Sequence, residues 1–372
     1  MEKDGMNKPE REHVYLYWLL QLPSMGAVTA GRLLNRFGSF AAVYNMEGTR
    51  LCREGLLKPS QAADFEKHKE RLAAAARQYE TLSRRGIRFV SIQDPEYPSR
   101  LRHLYDPPAA LYVRGELPEE DRPTAAVIGA RSCSSYGYQT ARMLGRELAA
   151  AGVQILSGMA LGIDGAGHQG ALDAGCRTYA VLGSGVDICY PKENQHLYSR
   201  IPKQGGLLSE FAPGQPPKPG NFPMRNRIIS GLSDAIVVVE ARAKSGSLIT
   251  VELGLEQGKE IFAVPGRMGD PLSGGCHQLI RQGAALLSSP ADVLDYFQIN
   301  GGEKLRLHEK NENGLAKKEK MVYSCLDLQP KFFDQIVEES GLSLEECMTL
   351  LMELELKGRI RQPAAHYYEK KM

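Results

Sequence analysis

Residues Gly220–Ser233 read GNFPMRNRIISGLS, and Ala235–Glu240, one residue further on, read AIVVVE. The second stretch is an unbroken apolar, β-branched run closed by an acid. That is the pattern of a strand buried on both faces of a parallel sheet, because alternation is lost when neither face meets water. The first stretch then predicts a helix packed onto that sheet, with Arg225, Asn226 and Arg227 on or beside it. No Asp or Glu stands between Glu210 and Asp234, whereas Lys218, Arg225 and Arg227 do. Two guanidiniums flanking an amide, with no acid nearby in sequence, suit anionic oxygen and polar base edges.

Outward from this point the chain alternates. TAAVIGA (124–130), VQILSG (153–158), TYAVLGSG (178–185), GLLSEF (206–211) and EIFAVPG (260–266) read as strands, most of them followed by a helical stretch of about ten residues. Repeated βαβ units predict an α/β fold with a doubly wound, mostly parallel sheet. GIRFVSI (86–92) and Leu111–Arg114 add two short strands before it. Ligands of such sheets lie beyond the carboxyl ends of the strands. Gly129-Ala130-Arg131, Ser157-Gly158, Gly183-Ser184-Gly185 and Ser245-Gly246-Ser247 are expected there.

A chain of 372 residues is long enough for two or three domains. Residues 1–84 read as an N-terminal helical (SAM/helix-hairpin-helix-like) domain. Leu22, Val28, Leu33, Leu34 and Phe37 recur at helical spacing, and Met25-Gly26-Ala27 ahead of a helix could bring backbone N–H groups to a phosphate. One long helix is expected from Gln61 to Arg84. Residues 85–300 hold the sheet. Residues 301–318 are charged and poor in large apolar groups, which is linker composition. Residues 319–372 read as three helices and a short hairpin, a winged-helix-like domain. Ser343 is expected to cap its third helix, with Glu346 completing a capping box. Glu345, Glu346, Glu353 and Glu355 on that helix argue against a DNA groove, where phosphate repels them, and favour contact with protein or self-association.

Composition sets bounds. The chain is 42% hydrophobic and 24% charged, with a net charge of +2, so a polyanion site must come from local clustering. Its seven cysteines form no CxxC pair and no zinc spacing, as expected of reduced thiols in the cytoplasm. The opening MEKDGMNKPEREH lacks the apolar core of a signal peptide, and no run approaches the roughly 20 apolar residues of a membrane span.

The loop after 124–128 lacks GxGxxG, so no dinucleotide fingerprint is met. It does offer Arg131 and the hydroxyls of Ser132, Ser134 and Ser135 at a helix N-terminus, a set that can bind one phosphate. Ser157-Gly158 could form a backbone nest for an anion. Ser245-Gly246-Ser247 open a helix with Lys244 and Arg242 beside them, without the lysine of a GxxxxGK[ST] loop. Lys192 is a cation on the rim. Asp164 is expected to N-cap a helix, with His168 one turn on and partly buried; the pair lacks a third metal ligand. No nucleophile–base–orienter set is present, so no catalytic residue is expected. Glu210 and Glu240, at strand ends, are expected to pair with Arg225 or Arg227.

Taken together, these motifs resemble one family. Gly129-Ala130-Arg131 with Ser135-Tyr136-Gly137 resembles its G-S-R-x-x-S-x-Y-G; SGMALGIDGAGH and LGSGVDICYPKEN resemble two further motifs. GGLLSEF, FPMRNRIISGLSDAIVVVEA, SGSLIT and AVPG follow in the same order. This is similar to the DNA-processing protein A (DprA/Smf) family of bacteria, over about Gly86–Phe297. Ala130 stands where serine is more usual, and Gly167 where alanine is typical. The resemblance implies a Rossmann-like fold and a homodimer that binds single-stranded DNA and loads the RecA recombinase onto it in natural transformation, with no turnover and no cofactor. DNA covered by single-strand binding protein is its expected setting. Arg131, Lys192, Arg225, Arg227 and Lys244 are then the expected phosphate ligands; Asn226 and Ser245–Ser247 are donors to phosphate or base, and Phe222 or Tyr190 could stack. The alternative from the enzyme class is a nucleotide-binding phosphoribohydrolase on a related sheet, since SGSLITVE is loosely like the PGGxGTxxE loop of those proteins.

Overall fold

A computed structural model describes residues 8–22, 25–299, 317–327 and 330–370. Nearly all of the expected linker at 301–318 lies outside the described residues. Nine strands form the main sheet: β1 (Arg88–Ser91), β2 (Ala110–Gly115), β3 (Thr124–Ile128), β4 (Gln154–Ser157), β5 (Thr178–Val181), β6 (Gly206–Ser209), β7 (Ala235–Val238), β8 (Glu260–Ala263) and β9 (Ala285–Leu286). Their spatial order is β1-β2-β6-β5-β4-β3-β7-β8-β9. From β6 to β9 all neighbours are parallel, while β1, β2 and β6 pair antiparallel. Every residue of β3 to β7 is buried, which explains the unbroken apolar text of AIVVVE and its companions.

The chain winds outward from β3 to β6, then returns to the other side of β3 as β7. The loops leaving β3 and β7 therefore diverge, and a crevice opens between their carboxyl ends. The RNR stretch is the Asn221–Leu232 helix; Ile228, Ile229 and Leu232 bury its apolar side against the sheet. Helices Ser135–Ala150 and Ile163–Asp173 cover the opposite face and touch backbone to backbone. A Cβ at Gly145 would lie 2.2 Å from the Gly167 carbonyl oxygen, so glycine is what lets the two helices meet.

The N-terminal helices gather around Trp18, whose Nε1 donates to the His68 carbonyl at 2.7 Å, and their core continues onto Phe89 of the edge strand β1 and Tyr112 of its neighbour β2. The expected helix from Gln61 to Arg84 is two helices, Pro59–Lys69 and Leu72–Arg84. Nothing in the local text requires that break, since neither Pro nor Gly occurs there. The C-terminal unit holds helices Lys317–Ser324, Phe333–Ser340 and Leu344–Leu356 and a three-stranded ribbon. Ser343 caps the third helix, accepting from the Glu346 N–H at 3.3 Å. Among the described residues no helix is long and apolar enough to cross a membrane.

Candidate nucleic-acid interface

At the crevice lies a cleft of about 580 Å³. Its lining brings together Arg131 from the loop after β3, Arg225 and Asn226 from the RNR helix, and Ser245, Gly246 and Ser247 from the loop after β7. Tyr190, Phe222, Asp164 and Thr250 complete the polar and aromatic wall, and Ile128, Ile229 and Ile249 give an apolar floor. That floor had no signature in the sequence, because helical spacing does not say which apolar residue ends at a groove.

Arg225 is fixed from within. It is 4% exposed, and its Nη1 donates to the Gly158 carbonyl at 2.7 Å and to the Val181 carbonyl. Burial lowers its pKa to about 10; the Asp164 carboxylate works against that shift and Arg131 adds to it. The guanidinium therefore stays charged at neutral pH, held against carbonyl oxygens. Its place depends on Gly158, where a Cβ would lie 2.3 Å from Nη1. Arg131, by contrast, is exposed and sits 5.4 Å from the Phe222 ring centre. Phe222 in turn lies 5.6 Å from the Tyr190 ring, tilted by 34°. The three form a cation–aromatic wall, on which a base can stack. Gly183 makes room for it, since a Cβ there would lie 2.8 Å from the Phe222 ring. The Asn226 amide makes no hydrogen bond among the described residues, and the Ser245 and Ser247 hydroxyls bond to each other at 2.8 Å.

Other expected site residues lie elsewhere. Arg227 points away from the cleft, 6% exposed, between Glu210 at 2.7 Å and Asp106 at 2.8 Å. Positions two apart on a helix differ by just over half a turn, so Arg225 and Arg227 cannot share one face. Lys192, Lys244 and Ser132 are exposed outside the lining; among the described residues neither lysine has an acidic partner. Ser157 is buried and spends its hydroxyl on the Val127 carbonyl at 2.6 Å. Gly158 gives its N–H to Asp164 at 3.1 Å and its carbonyl to Arg225.

Five sequence expectations differ from the structure, those for Asp164, the Ser157-Gly158 nest, Glu240, the Ser134 helix N-terminus and His168. Asp164 is not the N-cap, which is Gly162; it sits in the first turn, and its carboxylate reaches back to the N–H groups of Gly158 and Ala160 at 3.1 and 3.4 Å. The nest expected to face an external anion is thus filled by an internal one. Burial raises the Asp164 pKa, offset in part by Arg225 and the backbone donors. Glu240 does not pair with arginine. It accepts from the Ser134 N–H at 2.9 Å and the Ser134 hydroxyl at 2.5 Å, occupying the helix N-terminus where a phosphate was expected. Glu210 does pair with Arg227. His168 is fully buried rather than partly so, with Nδ1 2.7 Å from the Thr178 hydroxyl. Since that hydroxyl donates to the Ile155 carbonyl, Nδ1 carries the histidine proton. Burial, reinforced by Arg225, pushes its pKa down to about 3. Among the described residues no group of three His, Cys, Asp or Glu could hold a metal ion.

The fold and this cleft define an α/β protein of the Rossmann-like class whose usual phosphate seats hold its own carboxylates, with a cationic, hydroxyl-lined and aromatic cleft beside them. The family model of DNA recombination-mediator protein A matches residues 88–298, and that of the DprA winged helix domain matches residues 308–365. The chain belongs to the DNA-processing protein A (DprA/Smf) family. Protein Smf of Escherichia coli is 40% identical over 270 residues, 71% of this chain and 72% of that protein. DNA processing protein DprA of Streptococcus pneumoniae is 45% identical over 209 residues, 56% of this chain and 74% of that one. Among solved structures, DprA of S. pneumoniae aligns at 34% identity with a TM-score of 0.67, covering 76% of this chain and 97% of that chain. DprA of Helicobacter pylori, described for its single-stranded DNA binding mode, aligns at 30% identity and TM-score 0.52, covering 57% and 96%.

Proposed function

We propose that this DNA-processing protein binds single-stranded DNA in the cleft and delivers it to a RecA-type recombinase during DNA uptake, acting as a cytoplasmic homodimer and breaking no bond. The observation that carries this reading is the meeting of Arg131, Arg225, Asn226 and Ser245–Ser247 with an aromatic wall in one groove. Cations and hydroxyls suit phosphodiester oxygens, and Phe222 and Tyr190 suit an unpaired base, which a duplex does not offer. The described strand-binding of the H. pylori relative supports the same substrate. Exposed Lys192 and Lys244 lie outside the lining as further phosphate contacts, and strand covered by single-strand binding protein is the natural competitor. Two subunits would raise affinity by avidity.

Hydrolysis of a nucleotide is the second reading, favoured by one observation: a buried carboxyl, Asp164, lines the cleft with a raised pKa. Its carboxylate is already bonded to two backbone N–H groups, and among the described residues lining the cleft it is not joined by a second acid. Binding of labelled oligothymidine and of duplex across a salt series, with the mass of the complex measured in parallel, tests the proposal. With two to four phosphates held per subunit, log K should fall with log salt at a slope of about −1.4 to −2.8. Equal affinity for duplex, or release of free base from nucleoside monophosphates, would overturn it.

A further inference from the structure

The winged-helix unit carries a surface that the cleft does not use. In the Leu344–Leu356 helix, Cys347, Leu351 and Leu354 are buried in that unit's core. On another face Leu344, Met348, Met352 and Leu356 follow one another four residues apart, and they are 61%, 41%, 60% and 88% exposed. Single exposed apolar residues are ordinary, but four in register form a continuous stripe about 18 Å long. Glu345, Glu353 and Glu355 border it, and none has a cationic partner among the described residues. The fourth acid of the helix, Glu346, is already held by Lys318 at 2.7 Å.

This helix occupies the place that reads the major groove in DNA-binding winged helices. Phosphate would meet three unneutralised carboxylates there, and an apolar stripe has nothing to bond on a DNA backbone. A second copy of the same helix fits no better, because two-fold pairing would set the three acids against themselves. What remains complementary is an amphipathic helix whose apolar face is flanked by Lys or Arg. Unbranched methionines at the centre of the stripe adapt to such a partner, as in helix-in-groove recognition.

We propose that the Leu344–Met348–Met352–Leu356 stripe docks a cationic amphipathic helix of another protein, independently of strand binding in the cleft. The test uses the full chain and a labelled short peptide of leucine and lysine with leucine at helical spacing, followed by anisotropy. The parent should bind it, and M348E/M352E should weaken binding about tenfold or more, although two added negative charges would strengthen a purely electrostatic association. E345Q/E353Q/E355Q should weaken it as well. All these side chains are exposed, so the melting temperature and oligothymidine affinity should match the parent in both variants. Equal or tighter peptide binding by M348E/M352E would overturn the proposal. So would a halved native mass in that variant, which would assign the stripe to self-association, or a loss of duplex binding, which would assign it to DNA.

Discussion

Substituting Gly158 by Ala isolates the placement of Arg225 without touching its charge. The added Cβ would lie 2.3 Å from Nη1, 2.7 Å from Cζ and 2.8 Å from Nη2. Atoms of this kind rest near 3.5 Å, so the guanidinium must retreat by about 1 Å. Its bond to the Gly158 carbonyl, now 2.7 Å, would then exceed hydrogen-bonding distance, and that to Val181 would go with it. Charge-assisted bonds contribute about 1.5–3 kcal/mol each, and relaxation of a long side chain recovers part of the loss. A stability decrease of about 2–3 kcal/mol is expected in denaturant unfolding, short of unfolding the protein. Displacing the buried Arg225 cation of the cleft should weaken oligothymidine binding about tenfold to a hundredfold, read by anisotropy on folded protein. Gly246→Ala is the control: it lines the same cleft, its φ is −63°, and nothing lies within 4 Å of its Cβ position. It should leave stability unchanged. Parent-like stability and affinity in Gly158→Ala would show that Arg225 is not held where the reasoning needs it.

Two further expectations concern groups outside the binding wall. Arg227→Met should destabilise the protein by about 3–5 kcal/mol, because it leaves Glu210 buried and unpaired; burial already raises the Glu210 pKa against the pull of Arg227. Adding Glu210→Gln to it should restore most of that stability, measured by thermal melts, while the affinity of the folded fraction for oligothymidine stays near the parent's. His168 has a folded pKa of about 3 against 6.5 when unfolded, so the native state refuses a proton that the unfolded chain accepts. Stability is therefore lost as pH falls below 6.5, by about 2 kcal/mol at pH 5, and His168→Gln should remove that part of the pH dependence in parallel unfolding curves at pH 7 and pH 5.

Much of the fold was legible because its signals are local. AIVVVE announced a strand covered on both faces, and β7 is one; FPMRNRIISGL announced the helix beside it. Ser343 marked the start of the third helix of the tail, since a cap is read within a few residues. The site was legible only in part, because its logic is long-range. Whether the helix N-terminus at Ser134 is open to phosphate depends on Glu240, more than a hundred residues away, and local text shows only serines and a free turn. Asp164 was misplaced for a related reason: its carboxylate turns back to the preceding loop, a choice made by the buried surroundings rather than by the Gly162-Ile163-Asp164 text. Arg225 and Arg227 look equivalent in sequence, yet a rotation of just over half a turn sends one to the cleft and the other to a buried ion pair with Glu210 and Asp106.

The most direct measurement is oligothymidine affinity of Arg131→Glu with Lys244→Glu, taken as a function of salt. Both side chains are exposed and free of ion pairs among the described residues, so fold and melting temperature should hold. Affinity should fall about a hundredfold and the salt slope should shrink by about 1.4, the share of two phosphates. A folded double variant that binds with the parent's affinity and slope would contradict the account.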